Sequence, residues 1–344
     1  MDLDCPRSIQ PTRRQVLGSV LFPGIAAAAH QVREAKPQEH REAAKAAIAI
    51  TLDLEMSRNY PTWDQTHWDY QKGNLDGPTK AYAVEAARRV HGRGGVIHFF
   101  ALGQTMEQED VGWLGQIVAQ GHPVGNHTYD HVNVKATKPE DIQFRFRRAP
   151  WLIQGKTPRE VIAENIRLGD EALRQRLGII PAGFRTPGGF SDGLSDRPDL
   201  QAMLLKMGYR WVSSKYPAHP LGQPGHPPDP ATIAAIARAQ EQAQPFTYAS
   251  GLVEVPMSPV SDVTAFRVGK WRLESFLEAV QAAVTRAIDQ AAVFCFLAHP
   301  SCLLVTDPEF RSLDLICDLV ERSGGRADLV DLETVARRAS PVSE

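Results

Sequence analysis

Apolar segments of strand length alternate with helix-length segments from about residue 46 onward. The first apolar segment, Ala46 to Asp53 (AAIAITLD), is followed by a helical pattern from Pro78 to Arg93 that begins with proline. The same alternation recurs later, where a helical pattern from Arg272 to Gln290 precedes the strand Ala292 to Ala298. Strands separated by helices favour a mainly parallel sheet with right-handed crossovers. About seven such units predict an α/β fold, a barrel that is closed or nearly closed.

The composition excludes several classes of protein. Lys and Arg number 38 against 40 Asp and Glu, a net charge of −2, so no strong positive field favours nucleic acid, and we expect no nucleic-acid partner. Hydrophobic residues make up 43% of the chain and charged residues 23%, which argues against global disorder. The 4 cysteines include no CxxC pair, which argues against a zinc ribbon or a thioredoxin-like site.

Two adjacent arginines precede an apolar stretch near the start of the chain. Arg13 and Arg14 lie in the segment TRRQVL, which resembles a twin-arginine export signal. The apolar stretch from Val16 to Ala29 is too short to span a bilayer comfortably and ends in a run of alanines that suits a cleavage site. We therefore predict an export signal over residues 1–29 and a periplasmic or extracellular location. The alternative is a frayed basic N-terminus.

The rest of the chain is predicted to hold one domain. Residues 30–45 are rich in Glu, Lys, Arg and Ala and form a lead-in segment. Residues 46–335 carry the alternating strands and helices, and residues 336–344 form a tail. No segment after the signal is apolar for long enough to cross a membrane, so we expect no stable membrane insertion of the mature chain. The oligomeric state stays open.

Two carboxylates end the first predicted strand. Side chains alternate along a strand, so Asp53 and Glu55 point to one face and Leu54 to the other. In parallel α/β barrels, functional sites lie at the C-terminal ends of the strands. Buried carboxylates need a cation or hydrogen-bond donors. This pair is therefore a candidate site, with an ordinary polar strand end as the alternative.

Two histidines follow another short strand with four-residue spacing. His127 and His131 lie in the segment HTYDH, and we expect a helical turn to begin at Asn126 and bring both imidazoles to one face. Together with one carboxylate they would form a two-histidine, one-carboxylate site for a divalent ion, with positions left open for water and substrate. An HxxxH pair alone is weak evidence. Its place after a strand, with a carboxylate pair ending an earlier strand, makes the metal interpretation much stronger.

An arginine and a third histidine also occupy strand ends. Arg185, in the segment FRTPGG, is placed to face the carboxylates and to keep one of them ionised; the alternative is a structural salt bridge beside a plain turn. His299, in the segment LAHP, follows an apolar strand and can titrate near neutrality, as a general acid must. Its alternative is a satisfied core histidine.

Taken in order, these segments resemble the polysaccharide deacetylase family, the NodB-like carbohydrate esterases. The resemblance rests on TLDLE at residues 51–55, HTYDH at 127–131, RTPGG at 185–189 and LAH at 297–299, and covers about residues 46–335. It implies a distorted (β/α)7 barrel and metal-dependent removal of acetyl groups from sugars. The first family motif commonly carries two adjacent aspartates, whereas here Leu54 separates Asp53 from Glu55. This Asp-x-Glu variant looks more like the branch with peptidoglycan deacetylase-like and allantoinase-like members.

The resemblance also implies a role for each residue. Asp53 would be the catalytic base, held by Arg185, and His299 would be the acid that protonates the leaving group. Asp262 is a weak candidate for the aspartate that orients this late histidine. The metal would be bound by the set Glu55, His127 and His131. A backbone N–H after His131 would help to stabilise the oxyanion.

We therefore predict a metal-dependent hydrolase that removes acetyl groups from an amino sugar or polysaccharide, with N-deacetylation favoured. The cofactor is a divalent metal, with Zn²⁺ favoured over Co²⁺ or Mn²⁺, and the partner is a carbohydrate substrate. One alternative is a small-molecule amidohydrolase of the allantoinase-like branch. Another is a non-catalytic carbohydrate-binding barrel, against which the full set of base, ligands, arginine and late histidine argues.

Overall fold

The computed structural model describes residues 44–57 and 72–340. The predicted export signal, most of the lead-in segment and the last residues of the predicted tail lie outside these described residues. The prediction of a single domain over residues 46–335 is not tested by the fold itself and stays a prediction. No helix in the described ranges is long and apolar enough to cross a bilayer.

A nine-stranded sheet forms the centre of the fold. Its spatial order is β6-β7-β5-β4-β3-β2-β1-β8, with β9 paired to β1, and all pairs are parallel except β6 with β7. The strands are β1 (Ala46–Leu54), β2 (Ile97–Ala101), β3 (Val124–Asn126), β4 (Gly183–Phe190), β5 (Trp211–Lys215), β6 (Phe246–Thr247), β7 (Val253–Glu254), β8 (Val293–Ala298) and β9 (Ala327–Leu329).

Helices connect most of these strands. They are α1 (Gly77–Gly92), α2 (Gly112–Ala119), α3 (Pro139–Ile142), α4 (Phe144–Arg148), α5 (Pro158–Leu177), α6 (Pro198–Lys206), α7 (Pro230–Ala239), α8 (Leu273–Asp289), α9 (Pro300–Thr306), α10 (Arg311–Arg322) and α11 (Leu332–Ala339). A π-helical turn spans Val263–Val268, and three 3₁₀ turns lie at Gly103–Glu107, Pro150–Ile153 and Gln240–Gln242.

Strand β1 pairs with three other strands, more than any other strand of the described residues. All nine of its residues are buried. It pairs with β8 along Ala47 to Leu52, with β9 along Ala46 to Ile48 and with β2 along Ile50 to Leu54. A strand buried on both faces needs a nearly continuous apolar run, which the sequence AAIAITLDL supplies. The strands on both sides of β1 therefore fix the position of its C-terminal end, where the two carboxylates lie.

Local sequence signals explain where the longer helices begin. Helix α5 begins with a capping box, in which the Thr157 side chain accepts from the Glu160 backbone N–H and the Glu160 carboxylate accepts from Thr157. It ends at Gly178, whose φ of 68° is the left-handed geometry that suits a C-terminal glycine. Helix α1 begins after Asp76, whose carboxylate accepts from the Thr79 N–H at 2.9 Å.

The predicted α/β barrel is confirmed, with one difference in its closure. Seven parallel strands follow one another in the sheet, from β7 through β1 to β8, in agreement with the predicted seven units. Strands β7 and β8 are not paired as a ladder in the described part of the chain. A single backbone hydrogen bond crosses between them, from Ser258 N to Cys295 O at 2.9 Å. The sheet is thus a curled, incompletely closed barrel.

Several short helices were not predicted. Helices α3, α4, α7, α9 and α11 have no counterpart in the sequence-based assignment. All five are ten residues or shorter, and three of them begin with a proline. Their apolar periodicity is too brief to distinguish a helix from a loop. The strand predicted at residues 182–186 runs on to Phe190, with an irregular register against β5 after Arg185.

Candidate active site

The strand ends predicted to carry chemistry do converge. Asp53 is the second-last residue of β1, and Glu55 directly follows the strand. His127 is the first residue after β3, and His299 is the first residue after β8. Because parallel strands end at the same edge of a sheet, these side chains meet around one cavity of about 270 Å³. That cavity is also lined by Thr186, Gly188, Gly189, Tyr216, Met257, Ser261, Val263, Thr264, Leu297, Lys72, His131 and Arg267.

Glu55, His127 and His131 form a group that can hold a metal ion. One possible ligand atom from each residue lies within 4.8 Å of the others. Nε2 of His131 is 2.7 Å from Oε2 of Glu55, and Nε2 of His127 is 3.7 Å from the same oxygen. Oε2 of Glu55 is buried and makes no hydrogen bond to the described residues. A buried carboxylate oxygen with two imidazole nitrogens around it is the donor set that a divalent ion such as Zn²⁺ uses.

The segment that carries the two histidines is not the helical turn expected from the HxxxH spacing. Residues 127–133 are non-helical, and Thr128 and His131 have left-handed φ angles of 65° and 61°. The two imidazole centroids still lie 5.2 Å apart, because the loop folds back on itself. The expectation that the backbone N–H after His131 stabilises an oxyanion is also wrong, because the Val132 N–H donates to Thr128 Oγ1 at 3.2 Å.

Two asparagines fix this loop in place. The Asn126 side-chain oxygen accepts from the Thr128 N–H at 2.7 Å. The Asn165 side-chain oxygen, from helix α5, accepts from the N–H groups of Tyr129 and Asp130 at 3.0 and 2.8 Å. Backbone N–H groups in a buried loop need such acceptors, since no ladder or helix supplies them. The unusual backbone is therefore held by side chains rather than by secondary structure.

Arg185 positions two site residues at once. Its guanidinium is fully buried, with Nη1 3.3 Å from Oδ1 of Asp53 and Nη2 donating to Thr51 Oγ1 at 3.0 Å. Its backbone carbonyl lies 3.0 Å from Nδ1 of His127. A protonated Nδ1 that donates to this carbonyl leaves Nε2 of His127 with its lone pair toward Glu55, as metal binding requires. The predicted contact between Arg185 and a carboxylate is present.

His299 is paired with an aspartate. Nδ1 of His299 is 2.9 Å from Oδ1 of Asp262, and Oδ2 of Asp262 accepts from the His299 backbone N–H at 2.7 Å. Nε2 of His299 faces the cavity, 3.6 Å from Oε1 of Glu55. Asp262, which the sequence offered only as a weak candidate, thus makes the contact expected of an orienting aspartate.

Lys72 and Ser57 are site residues that sequence reasoning missed. The Lys72 ammonium is 2.6 Å from Oε1 of Glu55, and the Ser57 hydroxyl donates to the same oxygen. Lys72 is only 4% exposed. Neither residue belongs to a motif, and 16 positions separate Glu55 from Lys72 in the chain. No signal in the sequence could have identified the pair.

Burial and pairing set the protonation states of the site. Burial lowers the pKa of His127 to about 4, although Asp53 opposes the change. Burial likewise lowers the pKa of His131, so both imidazoles are neutral at pH 7, the form that binds metals. Burial raises the pKa of Glu55, but His131 and Lys72 outweigh it and hold that pKa well below its usual value. Glu55 is therefore ionised.

His299 behaves in the opposite way to the other two histidines. Burial again disfavours its charged form, but the carboxylates of Asp262, Glu55 and Asp53 outweigh burial and raise its pKa above the usual value. A raised pKa lets this imidazole keep its proton to a higher pH than an ordinary histidine does. His299 is thus suited to donate a proton, whereas His127 and His131 are suited to donate lone pairs.

Comparison with known proteins points to one family. Residues 76–210 match the family model described as polysaccharide deacetylase. This stretch of the chain is similar to the polysaccharide deacetylase family. The predicted family resemblance and the predicted enzyme class, a deacetylase-type hydrolase, are confirmed by this match. No match was found among curated proteins.

Several solved structures have a fold similar to that of this chain. A Mycobacterium smegmatis protein assigned to the polysaccharide deacetylases aligns with a TM-score of 0.55 at 15% identity, covering 87% of this chain and 91% of that one. A Pseudomonas aeruginosa protein assigned to the same class aligns with a TM-score of 0.54 at 12% identity, covering 85% and 89% of the two chains. Puue allantoinase aligns with a TM-score of 0.53 at 12% identity, also covering 85% and 89%. At these identities the similarities bear on the barrel fold.

Proposed function

We propose that this protein is metal-dependent and removes an acetyl group from the nitrogen of an amino sugar or an amino-sugar polymer. The observation that carries the proposal is the convergence of Glu55, His127 and His131 on one point, beside Asp53 and His299. Neutral imidazoles and an ionised, hydrogen-bond-deficient carboxylate oxygen fit a divalent cation, and Zn²⁺ suits this donor set, with Co²⁺ or Mn²⁺ as alternatives.

The metal would be held by Glu55, His127 and His131, and would supply Lewis acidity toward the acyl oxygen and toward water. Asp53, held by Arg185 at 3.3 Å, is placed to accept a proton from the attacking water. His299, oriented by Asp262, is placed on the same cavity to protonate the leaving nitrogen. An amine is a poor leaving group as its anion, so amide hydrolysis depends on this proton more than ester hydrolysis does.

The test is an acetate-release assay on chitooligosaccharides, peptidoglycan and acetylated xylan, with Zn²⁺, Co²⁺ or Mn²⁺ added to metal-free protein. We expect release from an N-acetylated substrate and a rate that needs added metal. Asp53→Asn and His299→Ala should each lower kcat by about 10²–10⁴-fold while metal still binds, as expected for a general base and a general acid. Asp307→Asn, which changes a buried acid outside this cavity, is the matched control.

Two outcomes would contradict the proposal. Full activity in metal-free protein that has been checked by metal analysis would contradict metal dependence. Wild-type rates in both Asp53→Asn and His299→Ala would contradict the assigned roles. Release from acetylated xylan alone would replace N-deacetylation with O-deacetylation.

A small-molecule amide is the second candidate substrate. The cavity of about 270 Å³ is slightly smaller than the range of roughly 300–1,000 Å³ that is usual for ligand pockets, which favours a compact substrate or a single sugar residue. Hydrolysis of small cyclic or linear amides, with no acetate release from any carbohydrate, would favour this alternative over a polysaccharide.

A further inference from the structure

The two oxygens of the Glu55 carboxylate have different surroundings. Oε2 faces His127 and His131 and has no hydrogen-bond partner in the described residues. Oε1 receives the Lys72 ammonium at 2.6 Å and the Ser57 hydroxyl, and it lies 3.6 Å from Nε2 of His299. One oxygen is thus available to an ion, and the other is already occupied by a positive charge from the protein.

This lysine is built into the site rather than resting on its surface. Lys72 Nζ also donates to Ser57 Oγ at 3.3 Å, so the ammonium, the hydroxyl and the carboxylate form a closed triangle. The side chains of Lys72 and Glu55 are 5% and 3% exposed. Solvent and salt screen charges only weakly at this depth, so the electrostatic interaction between the ammonium and the carboxylate is strong.

We propose that Lys72 is a positioning residue that turns Oε2 toward the two histidines and that its charge weakens metal binding at Glu55. The inference rests on the proposed metal-dependent function. A neutral donor to a ligating carboxylate usually strengthens metal binding, and removing one costs about 10–100-fold in affinity. An ammonium differs because it draws charge from the same carboxylate and repels the incoming cation. The ion would therefore be held less tightly and would keep more of its Lewis acidity.

Substitutions at Lys72 separate its charge from its hydrogen bond. Lys72→Gln keeps an N–H donor for Oε1 and removes the charge, whereas Lys72→Arg keeps both. Affinity for Zn²⁺ would be measured on metal-stripped protein by competition with a chelator of known affinity. We expect Lys72→Gln to bind Zn²⁺ at least about tenfold more tightly than wild type, and Lys72→Arg to bind within about threefold of wild type.

Each outcome of this experiment decides one point. Equal or weaker Zn²⁺ binding by Lys72→Gln, with ordinary binding by wild type, would overturn the role of the lysine's charge and leave the proposed function intact. Absence of Zn²⁺ binding by wild type would overturn the metal site itself. His127→Ala identifies binding at this site, since it removes a ligand. If Lys72→Gln fails to fold without metal, the same variant prepared with Zn²⁺ present and then titrated with chelator gives the same comparison.

Discussion

At the scale of single residues, the site consists of carboxylates that each have a cationic or protonated partner. Asp53 faces Arg185 at 3.3 Å and Glu55 faces Lys72 at 2.6 Å. Asp262 faces His299 at 2.9 Å. Breaking a buried pair by removing one partner is costly, because the other charge stays buried without compensation. Each pair therefore fixes the position of a residue that the chemistry uses.

The pairing of His299 with Asp262 leads to a prediction about pH. The Asp262 carboxylate helps to raise the pKa of His299, so the acid form persists to higher pH, and activity is lost as pH rises through that pKa. Asp262→Asn removes the negative charge and leaves burial to lower the pKa. We expect the basic limb of the kcat profile to move to lower pH, with activity above it falling about tenfold per pH unit.

The measurement is kcat from pH 5 to 10 for wild type, Asp262→Asn and Asp307→Asn. The Asp307 carboxylate accepts hydrogen bonds from Ser312 and lies outside the cavity, so its variant should keep the wild-type basic limb. An unchanged basic limb in Asp262→Asn would show that another group provides the proton.

The sequence predicted the six residues assigned to the site, but of the residues that support them it offered only Asp262, as a weak candidate. Asp53, Glu55, His127, Arg185 and His299 could be found because each ends or follows an apolar strand, and parallel strands end at one edge. His131 was found by its spacing from His127. Lys72 could not be found, because a lysine in an irregular segment carries no periodic signal and its partner is known only once the chain is folded.

At the scale of elements, the loop between β3 and α3 decides the geometry of both histidines. The four-residue spacing predicted a helix, but the chain uses left-handed residues at Thr128 and His131 instead. Such conformations are costly for non-glycine residues and persist only where surrounding contacts impose them. Those contacts come from Asn165, in α5, whose position opposite the loop is set by tertiary packing. A spacing rule for one helix therefore could not predict the loop.

Asn165 provides the prediction at this scale. Asn165→Ala would remove the side-chain acceptor for the Tyr129 and Asp130 N–H groups and the donor to Asp130 Oδ2. Buried groups that lose their partners cost about 1–3 kcal/mol each, so we expect a clear fall in the free energy of unfolding. A displaced loop should also weaken Zn²⁺ binding by about 10–100-fold.

The control for Asn165→Ala is Gln201→Ala. Gln201 is another buried amide, which donates to Leu194 O and accepts from Ser250 Oγ, away from the histidines. We expect it to lower stability while Zn²⁺ affinity stays at the wild-type value. Equal Zn²⁺ affinity in the two variants would mean that the loop does not depend on Asn165.

At the scale of the whole molecule, the parallel order of the sheet was predictable and its closure was not. Alternating strands and helices determine that the strands are parallel and that their ends share one edge. The gap between β7 and β8 depends on how far the sheet twists and on strands only two residues long, such as β7, which give almost no periodic signal. Ser258, which follows β7, bridges this gap with two hydrogen bonds: its N–H donates to the Cys295 carbonyl, and its hydroxyl oxygen accepts from the Cys295 N–H.

The last prediction concerns how the metal stabilises the barrel. Its ligands come from the end of β1 and from the loop after β3, two parts of the chain separated in the sheet by β2. An ion that binds only the folded state adds about 4 kcal/mol at a thousand times its Kd. For a domain of this size, each kcal/mol raises Tm by about 2–4 °C, so saturating Zn²⁺ should raise the Tm of metal-stripped protein by several degrees. His127→Ala lacks one ligand and should show a much smaller rise, whatever its own starting Tm. Equal rises in wild type and His127→Ala would place the stabilising ion elsewhere on the molecule.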